Sequence, residues 1–385
     1  SISSNMKIGV FGGTFNPPHN GHVRLAKAAA DELKLDKLLV IPSCIPPHKI
    51  AAKLADGQER LEMCRLAFGC DPRFEVSPME LERGSRSYTV ETLRELKALY
   101  PDSELYFIVG SDMLESFDKW YLWQEILSLS VLCAASREEG YNPDLSRFGK
   151  LAERIKIITL DPLEVSSTQI RNSAGEVSPE LLDPKVAAYI REHGLYDDGL
   201  NRYRELLRGK LNPRRLFHSE CVSECAGVLA ERYGASVEKA RLAGLLHDVM
   251  KNAPANEQLA LMPDITPLEL LNTKVWHQIS GEAFLRQNGI VTDEEILGAV
   301  RWHTTGKAGM TLLEKIIYVA DFISADRDYK DVEVVRRLAY ISLEHAILYT
   351  SRYTVNKMVS QDLLLHPATV ECYNDMLMHF GIQKG

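Results

Sequence analysis

The residue types able to do phosphate and metal chemistry fall into two groups. The first is Gly12-Gly13-Thr14-Phe15-Asn16-Pro17-Pro18-His19-Asn20-Gly21-His22, which follows the run KIGVF and precedes VRLAKAAADEL. Glycines let backbone approach a ligand closely, and a helix start offers unpaired N–H groups at the positive end of its dipole. Gly12, Gly13, Thr14 and Phe15 are therefore candidate nucleotide contacts. His19 and His22, three residues apart, share one face of a first helical turn and can both donate to phosphate oxygens. They are the candidate catalytic pair. The string has neither the GK[ST] of a Walker loop nor the GxGxxG of a dinucleotide fingerprint.

The second group is His218, His247-Asp248, His277, His303 and Asp321. Its members are too widely spaced for a CxxC or HExxH motif, so a metal site built from them needs several helices meeting in a bundle core. Asp248 closes LAGLLHD and Asp321 closes IIYVAD. A carboxylate on the apolar side of a helix is costly unless it is paired or holds a cation. Mixed imidazole and carboxylate ligands suit iron, manganese or zinc.

The elements that must position these residues change character along the chain. Residues 8–11, 38–41, 105–109, 130–134 and 155–159 are short apolar runs alternating with amphipathic stretches, which predicts an α/β domain around a parallel sheet. Beyond residue 200 the pattern is helical throughout, including 219–233 and 237–247, and predicts an all-α bundle. The boundary is expected near Tyr196-Asp197-Asp198-Gly199, after a helical run over 184–193.

The net charge of -8 and pI near 5.8 disfavour nucleic acid and anionic membrane as partners and favour a small ligand. Seven cysteines without a CxxC pair fit a reduced compartment. With no apolar span of about 20 residues and no leader-like opening, a cytoplasmic protein is expected. Residues 1–5 before Met6 read as an extension outside the fold.

PPHNGH resembles the (H/T)xGH signature of the nucleotidyltransferase superfamily, and within it nicotinate mononucleotide adenylyltransferase. Further strings match in chain order: PPHK ending at Lys49, RSYTVETL over 86–93, Gly110-Ser111-Asp112 after LYFIV, Trp120-Tyr121-Leu122-Trp123, and VSSTQIR over 165–171. The last differs from the family's ISSTxIR by one apolar exchange. Over residues 6–196 the resemblance implies a Rossmann-like domain that transfers the adenylyl group of ATP, with Mg²⁺, to nicotinate mononucleotide, giving the deamido dinucleotide and pyrophosphate. Such transfer relies on alignment and charge neutralisation rather than a protein nucleophile. Lys49, Thr89, Gly110, Asp112 and Trp120 join the substrate contacts, with Trp120 stacking on the pyridine ring. Ser166, Ser167 and Thr168 are cap-forming types whose hydroxyls can hold phosphate, and Arg171 offers a charged fork one turn later.

The pattern H, HD, H, H, D resembles the HD phosphohydrolase superfamily. FHSECV, LAGLLHDVMK, HTTGKAGMTLLEKIIYVADFISADR and HPATVECYN resemble its YqeK branch over residues 200–380. That resemblance implies symmetric hydrolysis of a diadenosine polyphosphate, the tetraphosphate, to two ADP at a di-iron type centre. His218, His247, Asp248 and Asp321 would hold one metal, the catalytic Asp248 would bridge, and His277 with His303 would complete the second. Lys251, Thr304, Thr305, Lys307 and Arg327 are candidate polyphosphate contacts. The expectation is a bifunctional enzyme with domains at 6–196 and 200–385; a homo-oligomer is compatible with it. The competing reading makes the helical half a nucleotide- or metal-binding regulatory or dimerisation module without turnover. A second competitor changes the acceptor to nicotinamide mononucleotide or pantetheine phosphate.

Overall fold

In the computed structural model, which describes residues 5–44, 55–84, 88–161 and 163–381, the chain parts into two units between Asp197 and Asp198. The first is built on six parallel strands: β1 (Lys7–Gly13), β2 (Lys37–Pro42), β3 (Phe74–Val76), β4 (Glu104–Gly110), β5 (Ser130–Ser136) and β6 (Ile155–Thr159), in the order β3-β2-β1-β4-β5-β6. Five coincide with the apolar runs. β3, only three residues of FEV, is too short to show a period.

The strands are apolar almost throughout because both faces of the sheet are covered. Ile8, Val10, Leu39, Ile41, Leu105 and Phe107 pack on one side. Phe11, Leu38, Val40, Tyr106 and Ile108 pack on the other, against Val23, Ala26 and Ala30 of the first helix, Asn20–Glu32. β1 pairs with both β2 and β4, so the strand order reverses direction there. Ligands of open α/β sheets bind at such a switch point, outside the carboxyl ends of the strands. Gly12 and Gly13 end β1 and Gly110 ends β4 at that edge.

Among the described residues the second unit contains helices and no strand. One core runs from Leu200 through Leu246, Val300 and Ile317 to Met376. Asp198 is not a solvated linker residue. Its carboxylate is buried between Arg204 (2.6 Å) and Arg241 (2.7 Å), tying the unit's first helix, Asn201–Arg208, to helix Val237–Leu246. Helix Pro213–Tyr233 begins six residues before the apolar pattern suggests. Pro213 is suited to a first helical position, and the Asn212 side chain caps the Arg215 N–H. No described helix is long and apolar enough to cross a membrane.

Helices Pro213–Tyr233 and Val237–Leu246 pass close together at Gly244, where an added Cβ would lie 2.9 Å from Ser223 Cα and 3.0 Å from its nitrogen. Those are backbone atoms and cannot swing aside, so Gly244→Ala must push apart the helices that lead to His218 and His247. The substitution should cost the second unit about 1–3 kcal/mol in a denaturant titration and lower its metal content; a variant with wild-type stability would show that the approach is looser than described.

Candidate functional site

At the first helix, His19 is not a helical residue but the cap. Its Nδ1 accepts the Gly21 N–H at 3.0 Å, and His22 Nδ1 accepts the His19 N–H at 3.0 Å. Each ring therefore keeps its proton on Nε2, where it can be donated outward. The rings stack with centroids 3.7 Å apart and planes at 22°. Gly21 permits this: a Cβ there would meet His19 Cε1 at 2.8 Å and Val165 at 2.9 Å.

Burial first, and then the charge of Arg137, lowers the His19 pKa to about 4. Burial, His19 and Arg137 likewise hold His22 well below the usual range. The pair is neutral near pH 7, so it offers hydrogen bonds rather than charge. Arg137 follows the end of β5 and is exposed. It was missed in the sequence; a basic residue immediately beyond an interior strand was the available signal.

Around this pair the loop over residues 14–18 is fastened from several sides. Arg171 Nη1 donates to Asn16 O (2.7 Å) and Nη2 to Thr168 Oγ1 (3.1 Å), Ser167 Oγ donates to Pro17 O (3.0 Å), and Ser166 Oγ caps Gln169 N–H (3.1 Å). These hydroxyls, expected to meet phosphate, already serve the protein. Tyr196 donates to Asn16 Oδ1 (2.7 Å), and buried Arg60 grips Thr14 O (2.8 Å) and Ser43 O (2.7 Å). The Phe15 side chain, only 2% exposed, packs against Phe11, Phe68 and His22. The Phe15 ring therefore supports the imidazole, which leaves its backbone as the candidate nucleotide contact.

Farther along the sheet edge, Gly110 ends β4, and a Cβ on it would meet Asp112 Oδ1 at 2.6 Å, while Asp112 itself is exposed. Thr89 opens helix Thr89–Leu99. Trp120 is half-buried against Phe107 and Phe117. Lys49 lies outside the described residues.

In the second unit all six candidate ligands converge. His218 comes from helix Pro213–Tyr233, His247-Asp248 from the end of Val237–Leu246, His277 from Trp276–Gln287, His303 from just beyond Glu294–Arg301, and Asp321 from Leu312–Ile323. Asp248 lies at the centre. Its Oδ2 is 3.3 Å from His247 Nε2 and 3.7 Å from His218 Nε2; its Oδ1 is 3.4 Å from both His277 Nε2 and His303 Nε2. Asp321 Oδ1 lies 2.8 Å from His218 Nε2 and 3.4 Å from His247 Nε2. Three overlapping sets of metal-ligand atoms result, each within 4.8 Å: His218, His247 and Asp248; His247, His303 and Asp321; and Asp248, His277 and His303.

The rings are aimed by their other nitrogens. His247 Nδ1 donates to Gly244 O (2.6 Å) and His303 Nδ1 to Val300 O (2.7 Å), while His218 Nδ1 meets Asp326 Oδ2 (2.7 Å). Such outer contacts fix the tautomer and raise the basicity of a metal ligand. Asp326 escaped the sequence reading, as it is one of several acids in ADR and DYKD. The completely buried His247 Nε2 makes no hydrogen bond. His303 and His277 bring Nε2 atoms within 3.1 Å, which requires a proton or a cation between them. Burial opposes charge on His247, but Asp248 and Asp321 outweigh it and raise the ring to about 10. Burial opposes ionisation of both carboxylates too, but the imidazoles hold Asp248 and Asp321 well below the usual range. A metal must therefore displace protons here. The donors fit a divalent transition metal.

The neighbouring candidates divide. Arg327 Nη2 (3.0 Å from Asp321 Oδ1) and half-buried Lys251 lie at the cluster, joined by Arg215 (3.0 Å from Asp248 Oδ2), which the sequence did not single out. Thr304 Oγ1 reaches His277 Nε2 at 3.2 Å. Thr305 is a correction: 2% exposed, its hydroxyl donates to Gly306 O and accepts from Gln278, so it holds the His303 loop instead of facing ligand. Lys307 is drawn to Glu314 (3.4 Å) and the Trp302 ring.

Two family models match, a cytidylyltransferase-like domain over residues 10–173 and an HD domain over residues 215–326. A probable nicotinate-nucleotide adenylyltransferase of Albidiferax ferrireducens is 43% identical over 196 residues, 98% of its length and 49% of this chain. The nicotinate-nucleotide adenylyltransferase of Bacillus subtilis is 38% identical over 193 residues, 98% of its length and 50% of this chain. The chain belongs to the nicotinate-nucleotide adenylyltransferase family. Unlike those relatives, this adenylyltransferase continues into an HD domain. A Clostridium acetobutylicum structure described as a predicted HD superfamily hydrolase involved in NAD metabolism is similar at 31% identity, with TM-score 0.46, over 97% of that chain and 46% of this one.

The depressed imidazoles of the adenylyltransferase unit tie its stability to pH. The unfolded chain binds protons on these rings below the ordinary 6.5, whereas folded His19 resists them down to about 4. Stability is therefore full above 6.5 and falls as pH drops towards 4, by on the order of 3 kcal/mol for His19. In His19→Asn the amide oxygen can take over the Gly21 N–H without titrating. Denaturant titrations between pH 7 and 4 should show a shallower decline for the first unit; an unchanged profile would refute neutral His19.

Proposed function

We propose that the first unit transfers the adenylyl group of ATP to nicotinate mononucleotide, releasing pyrophosphate, and that the second hydrolyses a nucleotide, diadenosine tetraphosphate to two ADP. The transferase reading is carried by the stacked neutral imidazoles at the sheet's switch point. Their Nε2–H groups donate to the triphosphate as charge develops, while Arg137 and Arg171 supply full positive charge. The acceptor's own phosphate is the nucleophile, so the protein aligns the reactants and neutralises their charge. Mg²⁺ arrives with ATP as part of the substrate. Gly12, Gly13, Gly110, Asp112, Thr89 and Trp120 are the proposed remaining contacts, and the named relatives support nicotinate mononucleotide as acceptor.

The hydrolase reading is carried by Asp248, whose two oxygens face different imidazole pairs. His218, His247, Asp248 and Asp321 would hold one metal, with His277, His303 and the other Asp248 oxygen holding a second; iron is proposed for both. Two such ions supply Lewis acidity to a phosphate and a more acidic water. Arg215, Lys251 and Arg327 neutralise the phosphates of the bound substrate.

His22→Ala should lower kcat/KM for adenylyl transfer by about 10²–10³, with circular dichroism and the ADP formed by the second unit unchanged. Asp248→Ala should abolish bound metal, read by elemental analysis, together with nucleotide hydrolysis, and leave adenylyl transfer intact. Retention of hydrolysis without metal would overturn the second assignment, and preference for nicotinamide mononucleotide or pantetheine phosphate the first.

A further inference from the structure

Two of the candidate ligands, His277 and His303, are joined through the residues that follow them in the chain. Gln278, next to His277 at the start of helix Trp276–Gln287, is completely buried. Its side-chain amide reaches the turn that follows His303: Oε1 accepts the Thr304 N–H at 2.9 Å and the Thr305 N–H at 3.1 Å, and Nε2 donates to Thr305 Oγ1 at 3.1 Å. Both N–H groups lie beyond the end of helix Glu294–Arg301. A buried N–H without an acceptor is costly, so this one amide oxygen does much to keep the turn in place.

The last helix, Pro367–Phe380, also holds the turn. Buried Thr369 donates from Oγ1 to Thr305 O at 3.1 Å. At Gly306, where φ is +67°, an added Cβ would lie 2.9 Å from Cys372 Sγ. Residues 304–306 are thus fastened to two helices at once. The two imidazoles next to these contacts are correspondingly close: His277 Nε2 lies 3.1 Å from His303 Nε2 and 3.2 Å from Thr304 Oγ1, and both Nε2 atoms are 3.4 Å from Asp248 Oδ1. His218 and His247 are aimed by other groups, Asp326 and the Gly244 carbonyl.

We propose that Gln278 is a positioning residue for the second metal of the helical unit: it pins helix Trp276–Gln287 to the turn after His303 and so holds His277 and His303 together in front of Asp248 Oδ1. The inference rests on the two-metal reading of this unit and adds a residue that governs one ion apart from the other. Each ligand ring is carried by backbone one residue away from the pin, so a shift of either segment moves the two rings relative to each other. The pin acts on this pair of ligands and leaves the contacts of His218 and His247 as they are. Its loss is therefore selective, which separates it from a contribution to general packing.

The test is titration of the metal-free full chain with Mn²⁺, followed by electron paramagnetic resonance, which counts bound ions and reads the magnetic coupling between neighbouring ones. The unsubstituted chain should take two ions and show a coupled signal. Gln278→Met, close in volume but without the acceptor, should weaken the second ion about 10–100-fold, as loss of an outer contact to metal ligands does, and leave one tightly held, uncoupled ion. Gln278→Glu keeps an oxygen for the two N–H groups and should restore the second ion. ADP formation should fall and recover with that ion, while adenylyl transfer by the first unit serves as the unchanged control. Two ions held as tightly in Gln278→Met as in the unsubstituted chain would overturn the positioning role and leave the two-metal reading standing. Equal loss of both ions, with a lower denaturation midpoint, would overturn it as well, since that is the mark of a merely structural residue. An unsubstituted chain that takes a single ion would sink the two-metal reading itself and the proposal with it.

Discussion

One constraint underlies both sites: what imidazole Nδ1 meets decides what Nε2 can bind. At the start of a helix the spare backbone groups are N–H, and at its end they are C=O. His19 and His22 sit at a start, so Nδ1 accepts a backbone N–H, the proton stays on Nε2, and the ring faces outward as a donor to an anion. His247 and His303 sit at or just past helix ends, so Nδ1 donates to a carbonyl, and Nε2 is the atom left to take a cation in place of a proton. The same side chain is thus prepared as an outward N–H donor or as a candidate metal ligand by its place along a helix.

The folds that supply those helix ends are different solutions to one packing requirement. A parallel sheet covered on both faces delivers the first helix to the β1–β4 switch point, with its small residues Ala26, Ala29 and Ala30 against the sheet. The helical unit brings five segments to one interior point, where burial makes each carboxylate and imidazole expensive alone and compatible together. Gly21 and Gly244 mark where the two arrangements are tightest. In one case a Cβ would strike the His19 ring, and in the other the neighbouring helix backbone.

Much of this was legible in the sequence because it is encoded by local period and residue type. Five strands announced themselves as apolar runs, and the six ligands stood out as acids and histidines ending apolar helices. What escaped was non-local. The charge of Arg137, just beyond β5, acts on the histidine pair, Arg60 binds a loop that begins over forty residues earlier, and Asp326 meets His218 across more than one hundred residues. Ser166, Ser167, Thr168 and Thr305 carry the right atoms for phosphate, but only the folded chain shows their hydroxyls engaged by nearby backbone and side chains.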